Sequence, residues 1–470
     1  MARRSGLLPW SSIVLLHALL FVGLYQSGFT RDEVRSLVKP GPYKLIEPYV
    51  QAAKLYGPAG PVRVYFFGEG DERLYLEYAR LLLDGTIDLS HVEKIQRRSP
   101  AVASLPARAW PYRDVTVEYP PLAFLAFVPP ALLSTDYAHY RFSFAGWMLV
   151  LHLFNLWLAF RLLGPSTEQK QRLWLGWASL LFCLLLGRVV ATRMDHLVVT
   201  FTLLCVWAGT RALSLPGARE RLRWAALGGV FGALGVMVKL VPGFGFLAVL
   251  VAYLRSDARD RLRLAAVGCS AAGLVLLAVN LPVIAFAGER YLESFRYHTL
   301  RGVQIESVYA GLLMLARMFG LPARVEESFG SANLETSLTP AIKLLSPLLF
   351  LAVCVWICAR RWRPETRPML LCASALLLGY MLTSRVFSPQ YLIWIGAPLL
   401  AASAHDPPRG LWRSAAKLLL VATLLSQLIY PQGYPVLKAF HPLAVLLLDL
   451  RNLCLLWLLL SSVRQAERNA

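Results

Sequence analysis

Charged residues are scarce in this sequence. They make up 16% of its 470 residues, whereas a soluble domain carries about 25%. Hydrophobic residues reach 57%, and the mean hydropathy is +0.51. The apolar residues form blocks of about 15 to 25 residues, which is the length that a helix needs to cross the hydrocarbon core of a bilayer. The composition therefore excludes an ordinary soluble domain and predicts an integral membrane protein.

Several catalytic signatures are also missing. The sequence contains no glycine-rich Walker loop, no dinucleotide fingerprint, no H-E-x-x-H and no G-x-S-x-G. The seven cysteines lie in or beside apolar segments, without the paired spacing of a disulfide framework or a zinc site. The sequence thus gives no support to an ATP-driven reaction or to zinc chemistry.

Acidic residues are outnumbered, because 28 Asp and Glu stand against 48 Lys and Arg and leave a net charge of +20. Most basic residues lie in short connections between apolar segments. Lys and Arg concentrate in the cytoplasmic loops of membrane proteins, so this pattern indicates topology rather than a nucleic-acid partner. The loops assigned to the cytoplasm are 164–172, 213–223, 255–262, 358–367, 405–413 and 463–470.

Thirteen apolar segments follow one another along the chain. They are 10–28, 120–134, 142–163, 173–191, 197–212, 224–238, 241–254, 263–288, 339–359, 368–384, 391–404, 414–430 and 441–462. The first resembles a signal peptide but lacks a small-residue cleavage site, so we expect an uncleaved span. We expect both the N-terminus and the C-terminus in the cytoplasm, and this requires an even number of spans. Segment 120–134 is short and contains two proline pairs, so we expect about twelve spans in total.

The predicted fold class is an all-α polytopic membrane protein that forms one integral domain over residues 1–470. Loop alternation places two large segments outside the cytoplasm, 29–119 and 289–338. Within the first of them, residues 93–113 hold four arginines among prolines and are expected to form a mobile loop. Most of the specific polar residues fall on the outward side. We therefore predict an extracytoplasmic working face.

The first outward loop contains many acids in "YFFGEGDERLYLEYARLLLDG", residues 65–85. Apolar residues recur there at helical spacing, which predicts an amphipathic helix at the membrane surface. Its apolar face would hold Leu74, Tyr78, Leu81 and Leu82, and its polar face Asp71, Glu72, Arg73, Glu77 and Arg80. Solubilising charge is a sufficient explanation for Glu72, Glu77 and Arg80. Asp71 follows "GEG" at the helix start, where it is either an N-cap or a chemically active carboxylate.

Ionisable residues at the edges of apolar segments form a second group of candidates. In "VTVEYPPL", Glu118 stands beside Tyr119 at the bilayer edge, where it either anchors the membrane border or gains reactivity from partial desolvation. In "ATRMDHL", Arg193 and Asp195 either form a structural ion pair or face a protein cavity. Lys239 in "VMVKLVPGFGF" must snorkel outward or meet an anion.

The later outward segments add cations and amides. "FRYHTLRGVQIESVYAG" (295–311) and "SRVFSPQY" (384–391) supply the candidates Arg296, His298, Arg301, Gln304, Glu306, Arg385 and Gln390. Cations and amides gathered in this way suit a phosphate group or sugar hydroxyls. The residues therefore predict a polar binding site at the outer ends of the spans.

The order of these motifs resembles a known superfamily. "GD" followed by "YLEYARLLLDG", then "EYPPLAFLAFVPP", "KLVP", "RYHTLRGVQIES" and "SPQYLIWIGAPLL", is similar to the GT-C superfamily of polyprenyl-phosphate-sugar-dependent glycosyltransferases. Within it, the pattern most resembles the α-mannosyltransferase branch that includes the mycobacterial phosphatidylinositol-mannoside mannosyltransferase. The resemblance covers about residues 1–405. It implies a helical bundle of about twelve transmembrane helices with a large first extracytoplasmic loop carrying amphipathic helices.

The resemblance also implies roles for individual residues. Asp71 matches the general base that takes the proton of the acceptor hydroxyl, although Glu69 and Glu118 remain alternatives. The implied phosphate ligands are Lys239, Arg301 and His298, with Glu118 and Asp195 orienting hydroxyls. The remaining substrate-binding candidates are Tyr119, Arg193, Gln304, Glu306, Arg385 and Gln390.

The implied reaction moves a hexose, with mannose as the first expectation, from a polyprenyl-phosphate sugar to a glycolipid or glycan acceptor on the extracytoplasmic side of the membrane. Such a donor is already activated, so no cofactor is expected, and the cations could replace a metal. Two other functions remain open. One is a carrier or flippase for a lipid-linked or anionic substrate, whose pathway would be lined by the same charges. The other is a ligase or polymerase of surface glycans.

Overall fold

The computed structural model describes residues 7–27, 47–61, 71–88, 105–164, 167–405 and 415–468. The first half contains the helices α1 (Leu7–Ser27), α2 (Glu47–Tyr56), α3 (Glu72–Leu83), α4 (Phe124–Ala131), α5 (Tyr137–Leu162), α6 (Gln169–Leu186), α7 (Val189–Thr192), α8 (His196–Ser214) and α9 (Ala218–Val238). The second half contains α10 (Gly243–Arg255), α11 (Arg261–Ala287), α12 (Arg290–Leu300), α13 (Val308–Met318), α14 (Thr339–Ala359), α15 (Thr366–Thr383), α16 (Tyr391–Ala404), α17 (Ala415–Gln427), α18 (Tyr434–Lys438) and α19 (Pro442–Glu467). Within the described ranges there are also three short strands, β1 (Val303–Gln304), β2 (Arg324–Ser328) and β3 (Ser331–Glu335).

Each of the thirteen apolar segments forms a helix, which confirms the predicted all-α polytopic class. Among the described residues, seven helices are long and apolar enough to cross a membrane, namely α5, α8, α9, α11, α14, α15 and α19. Shorter apolar helices include α4, α10, α16 and α17. Helix α13 is also short and apolar, although it was not among the thirteen predicted segments. The total of about twelve spans stays a prediction.

The segment with two proline pairs is short, as predicted. A 3₁₀ turn at Pro121–Ala123 leads into α4, which contains Pro129 and Pro130. Eleven helical residues extend about 16 Å, roughly half of the hydrocarbon thickness. A straight helix of this length does not cross the bilayer. The residues that precede this short segment, Glu118 and Tyr119, therefore lie inside the bundle.

The bundle has a buried centre and an apolar outside. Helix α15 is 78% buried, whereas the most apolar windows of α11 and α14 are 6% and 11% buried. Leucines such as Leu274 and Leu351 are exposed on these two helices. Apolar side chains in such positions face lipid in a membrane protein. Helices α11 and α14 therefore form part of the lipid-facing surface.

Helix α3 is more deeply embedded than predicted. It packs against α4 and α5, and its Tyr75 ring stacks on Phe127 at 4.6 Å. Glu72 and Glu77, which were expected to be solubilising charges on the polar face, are each only 2% exposed. Glu77 accepts hydrogen bonds from Arg80 at 3.1 Å and from the backbone N–H of Asp88 at 2.8 Å. The polar-face prediction was wrong for these two acids because they have partners inside the fold.

The two segments that were predicted to lie outside the cytoplasm are folded where the structure describes them. Residues 105–113 do not form the expected mobile loop, since Ala109 and Tyr112 are 1% and 5% exposed. The second of these segments, 289–338, contains an antiparallel sheet in the order β1-β3-β2, with Val303 opposite Leu334. These strands and α13 form a separate small core. The strands had not been predicted.

Candidate functional site

A cavity of about 760 Å³ lies where α12, α14, α15 and α16 meet the segments around Glu118 and Lys239. Seven of the predicted site residues line it: Glu118, Tyr119, Lys239, His298, Arg301, Arg385 and Gln390. Five others, Asp71, Arg193, Asp195, Gln304 and Glu306, are not part of its lining. Glu69 lies outside the described residues. The structure thus brings together residues that are up to 272 positions apart in the chain, from Glu118 to Gln390.

Lys239 is held at the cavity wall by a buried carboxylate. Its Nζ donates to Asp195 Oδ1 at 2.7 Å, and Trp394 Nε1 donates to the same oxygen at 2.5 Å. The ammonium also lies over the rings of Tyr391 and Trp394, at 5.6 and 5.0 Å from their centroids. Asp195 is completely buried. The proposed structural pair between Arg193 and Asp195 is wrong, because each residue has a different partner.

The Lys239–Asp195 pair gives a stability prediction. We expect Lys239→Met to lower the free energy of unfolding by about 3 kcal/mol, since removing one partner leaves a buried charge uncompensated. Asp195→Asn in the Lys239→Met background should restore part of this loss, because it neutralises that charge. Unfolding in SDS, monitored by tryptophan fluorescence, measures both variants. Additive losses in the double variant would contradict the prediction.

Arg301 and Arg385 contribute guanidinium groups to the same cavity. Arg385 Nη2 donates to the carbonyl oxygens of Thr299 and His298, at 2.8 and 3.2 Å, so part of its donor capacity is occupied. Arg301 makes a longer contact, 3.4 Å from Nη2 to Ser331 Oγ, and its Nε has no partner in the described part of the chain. A guanidinium with unused donors at a cavity wall suits a planar or tetrahedral anion.

His298 and Gln390 are partly committed to protein contacts. His298 Nε2 lies 2.8 Å from the carbonyl oxygen of Glu118, a distance at which this ring nitrogen donates to the backbone. Gln390 Oε1 accepts from Ser388 Oγ at 3.2 Å. Both side chains still border the cavity. The amide nitrogen of Gln390 and the second ring nitrogen of His298 are the groups that these contacts leave for a ligand.

Lys343 on α14 is a lining cation that the sequence analysis missed. It lies one turn after the start of an apolar helix, and a single lysine in that position is usually explained by snorkelling to the membrane surface. The cations lining the described cavity are Lys239, Arg301, Lys343 and Arg385, with Glu118 as the carboxylate among them and Asp195 behind Lys239. This balance favours an anionic ligand.

The lining of the cavity also contains apolar residues, and some of them are exposed at the surface of the bundle. Leu240, Val241, Pro347 and Phe350 contribute to its lining. Leu240 is 56% exposed, and Leu344, another lining residue on lipid-facing α14, is 70% exposed. The cavity therefore combines cations with exposed apolar residues, which is an environment for an amphiphile with an anionic head group.

Asp71 is outside the cavity lining and forms a separate ion pair. It occupies the residue before α3 but caps no backbone N–H with its side chain, so the N-cap explanation is wrong. Its Oδ2 instead contacts Arg193 Nη1, with 34% of the Asp71 side chain and 11% of the Arg193 side chain exposed. Arg193 and Asp195 are two residues apart, so the chain between α7 and α8 connects the Asp71 pair to the Lys239 pair.

Tyrosines form a second connection between Asp71 and the cavity. Tyr75 lies one turn after Asp71, and its ring meets that of Tyr119 edge to face at 6.0 Å. Tyr119 lines the cavity, and its carbonyl accepts a hydrogen bond from Tyr112 at 2.7 Å. Burial raises the pKa of Tyr75 and of Tyr119, so both phenols remain protonated.

Gln304 and Glu306 are placed behind the cavity rather than in its wall. The backbone N–H of Gln304 donates to the carbonyl of Arg385 at 2.9 Å, which fixes this turn against the cavity lining. Gln304 Nε2 donates to Glu306 Oε2 at 3.1 Å.

Across the described ranges, no group of three or more His, Cys, Asp and Glu side chains has an arrangement that could hold a metal ion.

The chain is similar to a known protein family and to one solved structure. A family model described as Glycosyltransferase family 87 matches residues 117–389, which is more than half of the chain. The crystal structure of ArnT from Cupriavidus metallidurans bound to undecaprenyl phosphate is similar at 17% sequence identity, covering 84% of this chain and 73% of that chain with a TM-score of 0.43. No curated protein matches the sequence. The family match includes Asp195, Lys239 and Arg301 and begins after Asp71.

Proposed function

The chain belongs to glycosyltransferase family 87, and we propose that it is an inverting enzyme that transfers a hexose from a polyprenyl-phosphate sugar to a glycolipid or glycan acceptor. The observation that carries this proposal is one cavity that is lined both by four cations and by apolar residues. A polyprenyl phosphate has these two properties, an anionic head and an apolar chain. Mannose is the first donor sugar that we propose, on the resemblance to the mannosyltransferase branch.

The cations are proposed to stabilise the leaving phosphate. In the donor, the phosphate is a diester with a single negative charge, and cleavage of the sugar–oxygen bond adds charge to it. Groups that are already oriented toward developing charge stabilise the transition state more than the ground state. Arg301, Lys239 and Lys343 border the cavity and fit this role. The exposed lining residues Leu240 and Leu344 would contact the first isoprene units.

Asp71 is proposed to act as the general base. The acceptor hydroxyl oxygen attacks the anomeric carbon from the face opposite the phosphate, its proton passes to the Asp71 carboxylate, and the bond from the anomeric carbon to the phosphate oxygen breaks. One displacement inverts the anomeric configuration. Glu118, at the cavity wall, is proposed to orient sugar hydroxyls, and Asp195 acts through Lys239. The Asp71–Arg193 contact supports a carboxylate held at a defined position.

The site is proposed to face the extracytoplasmic side. Helix α9 has Arg219, Arg221 and Arg223 near its beginning and Lys239 at its end. Helix α15 follows the basic connection 358–367 and ends beside the cavity at Thr383. Basic connections mark the cytoplasmic ends of spans, so the cavity belongs to the opposite ends. An enzyme there needs a donor that carries its own activation, as a lipid-phosphate sugar does.

The direct test is transfer of label by the purified protein. Protein in nanodiscs is incubated with radiolabelled polyprenyl-phosphate mannose and a membrane lipid extract, and products are separated by thin-layer chromatography. We expect a new labelled product with anomeric configuration opposite to that of the donor. Label from a different lipid-phosphate sugar in a panel would reassign the sugar. Absence of transfer from the entire panel would contradict the proposal.

A carrier or flippase is the second candidate, because the same charges could line a pathway. Proteoliposomes that contain the polyprenyl-phosphate sugar separate the two functions. A transferase forms a new glycosidic bond and requires an acceptor. A carrier moves the intact donor between leaflets without an acceptor, and movement without any new glycoside would favour it.

A further inference from the structure

Ser294 is a cavity residue to which the proposed reaction gives no role. It lies on α12, is 4% exposed and belongs to the cavity lining. The other lining residues of this helix are Tyr291, Phe295 and His298. Positions three and four residues apart lie on the same side of a helix, so one face of α12 borders the cavity. Ser294 is near the middle of that face.

The hydroxyl of Ser294 lacks a protein partner. Its Oγ is buried and has no hydrogen-bond partner in the part of the chain that the structure describes. Other hydroxyls of the cavity lining do have partners. Thr383 Oγ1 donates to the carbonyl of Gly379 at 2.7 Å, and Thr299 Oγ1 donates to that of Arg296 at 2.8 Å. A buried hydroxyl is costly unless it is hydrogen-bonded, so Ser294 is suited to pair with a ligand in the cavity.

The place of Ser294 along α12 indicates which part of the donor it meets. Arg301 follows the end of the helix, seven residues after Ser294, and its Nη2 lies 3.4 Å from Ser331 Oγ on β3. Seven helical residues rise about 10 Å, whereas a phosphate group is shorter than one helical turn of about 5.4 Å. A phosphate held by Arg301 therefore leaves Ser294 to another part of the donor. The isoprenoid chain has no hydrogen-bonding atoms, and this leaves the sugar.

We propose that Ser294 is a specificity-determining residue whose hydroxyl forms a hydrogen bond with one hydroxyl of the donor sugar. This inference rests on the proposed function and on Arg301 as a phosphate ligand. A serine hydroxyl can donate and accept, as a sugar hydroxyl does. His298 lies between the two residues on α12 and donates from Nε2 to the carbonyl of Glu118 at 2.8 Å. The donor thus lies along α12, with its sugar beside Ser294 and its phosphate beside Arg301.

The test compares the binding of two lipids to wild type and Ser294→Ala in nanodiscs. One lipid is polyprenyl-phosphate mannose, or the lipid-phosphate sugar that the transfer panel identifies, and the other is polyprenyl phosphate without a sugar. We expect Ser294→Ala to weaken binding of the first about fivefold, the contribution of one net hydrogen bond, and to leave binding of the second within twofold of wild type. Equal weakening of both lipids would place the hydroxyl at the phosphate and overturn the inference. Unchanged binding of both would also overturn it.

Ser374→Ala on α15 is the matched control. Ser374 is fully buried, its Oγ donates to the carbonyl of Leu370 at 2.7 Å, and it does not line the cavity. This variant should bind both lipids as wild type does. Ser294→Cys keeps a side chain of similar size but is a weak donor, and it repeats the comparison if Ser294→Ala does not fold.

Donors that lack single sugar hydroxyls identify the group that Ser294 contacts. In wild type, removal of that one hydroxyl should weaken binding about fivefold, and in Ser294→Ala its removal should have no further effect. Losses that add in Ser294→Ala for every hydroxyl would overturn the inference. Failure of the proposed function looks different, because wild type would then transfer no sugar from any donor. An active wild type whose Ser294→Ala variant binds both lipids normally refutes the role of Ser294 alone.

Discussion

Replacing Asp71 by asparagine is expected to reduce the turnover number about a thousandfold and to leave donor affinity nearly unchanged, since general-base catalysis contributes about 10²–10⁴. Asparagine keeps the size of the side chain and an oxygen for Arg193, but it cannot accept a proton. Asp71 is not part of the cavity lining, so the donor phosphate should still bind. The measurement is single-turnover transfer of labelled sugar, together with equilibrium binding of polyprenyl phosphate.

The matched control is Asp84→Asn, at the other end of α3. Asp84 is exposed and accepts from Thr86 at 2.8 and 2.6 Å. The Asp84→Asn variant should retain wild-type turnover. This result would separate the loss of one particular carboxylate from a general effect on the helix. If Asp71→Asn proved as active as wild type, the base would have to be Glu69 or Glu118. The Asp71–Arg193 pair would then be structural.

Replacing Arg301 by methionine is expected to lower kcat/KM about a hundredfold, because removal of one group that stabilises transition-state charge costs about 10²–10³ in rate. Methionine fills a similar volume without donors or charge. The weak contact with Ser331 predicts little effect on folding. Steady-state transfer at several donor concentrations separates the loss of kcat from the rise in KM. Both are expected, because the phosphate is present in the ground state and in the transition state.

The control for the arginine is Arg296→Met on the same helix, α12. Arg296 is exposed and does not line the cavity. The Arg296→Met variant should therefore have a kcat/KM within twofold of wild type. Equal losses in both variants would indicate a general electrostatic attraction of the donor rather than a phosphate contact. No loss in Arg301→Met would require the phosphate to bind elsewhere.

The membrane architecture was predictable because it depends on local sequence. The length of an apolar block and the basic residues at its end do not depend on distant contacts, and every predicted segment became a helix. The cavity residues were predictable for a related reason. Lys239 and Arg385 are charged residues directly beside predicted apolar segments, and the ends of spans converge in a bundle.

The pairing of charges was not predictable, because it depends on how the helices pack. The sequence places Arg193 and Asp195 two residues apart, yet they point to different partners, Asp71 and Lys239. Glu72 and Glu77 follow the polar spacing of a surface helix and become buried only because α3 lies against α4 and α5. The short strands also lack a sequence signal, because β1 has two residues and β2 alternates little.

The measurement that tests the central claim most directly is a cryo-electron microscopy structure of the protein with saturating polyprenyl phosphate. The account predicts phosphate density in the cavity within hydrogen-bonding distance of Arg301 and chain density leaving past Leu240 and Leu344 toward the lipid. Asp71 should lie on the side of the cavity away from the isoprenoid chain. An empty cavity with the lipid bound at another face of the bundle would contradict the account.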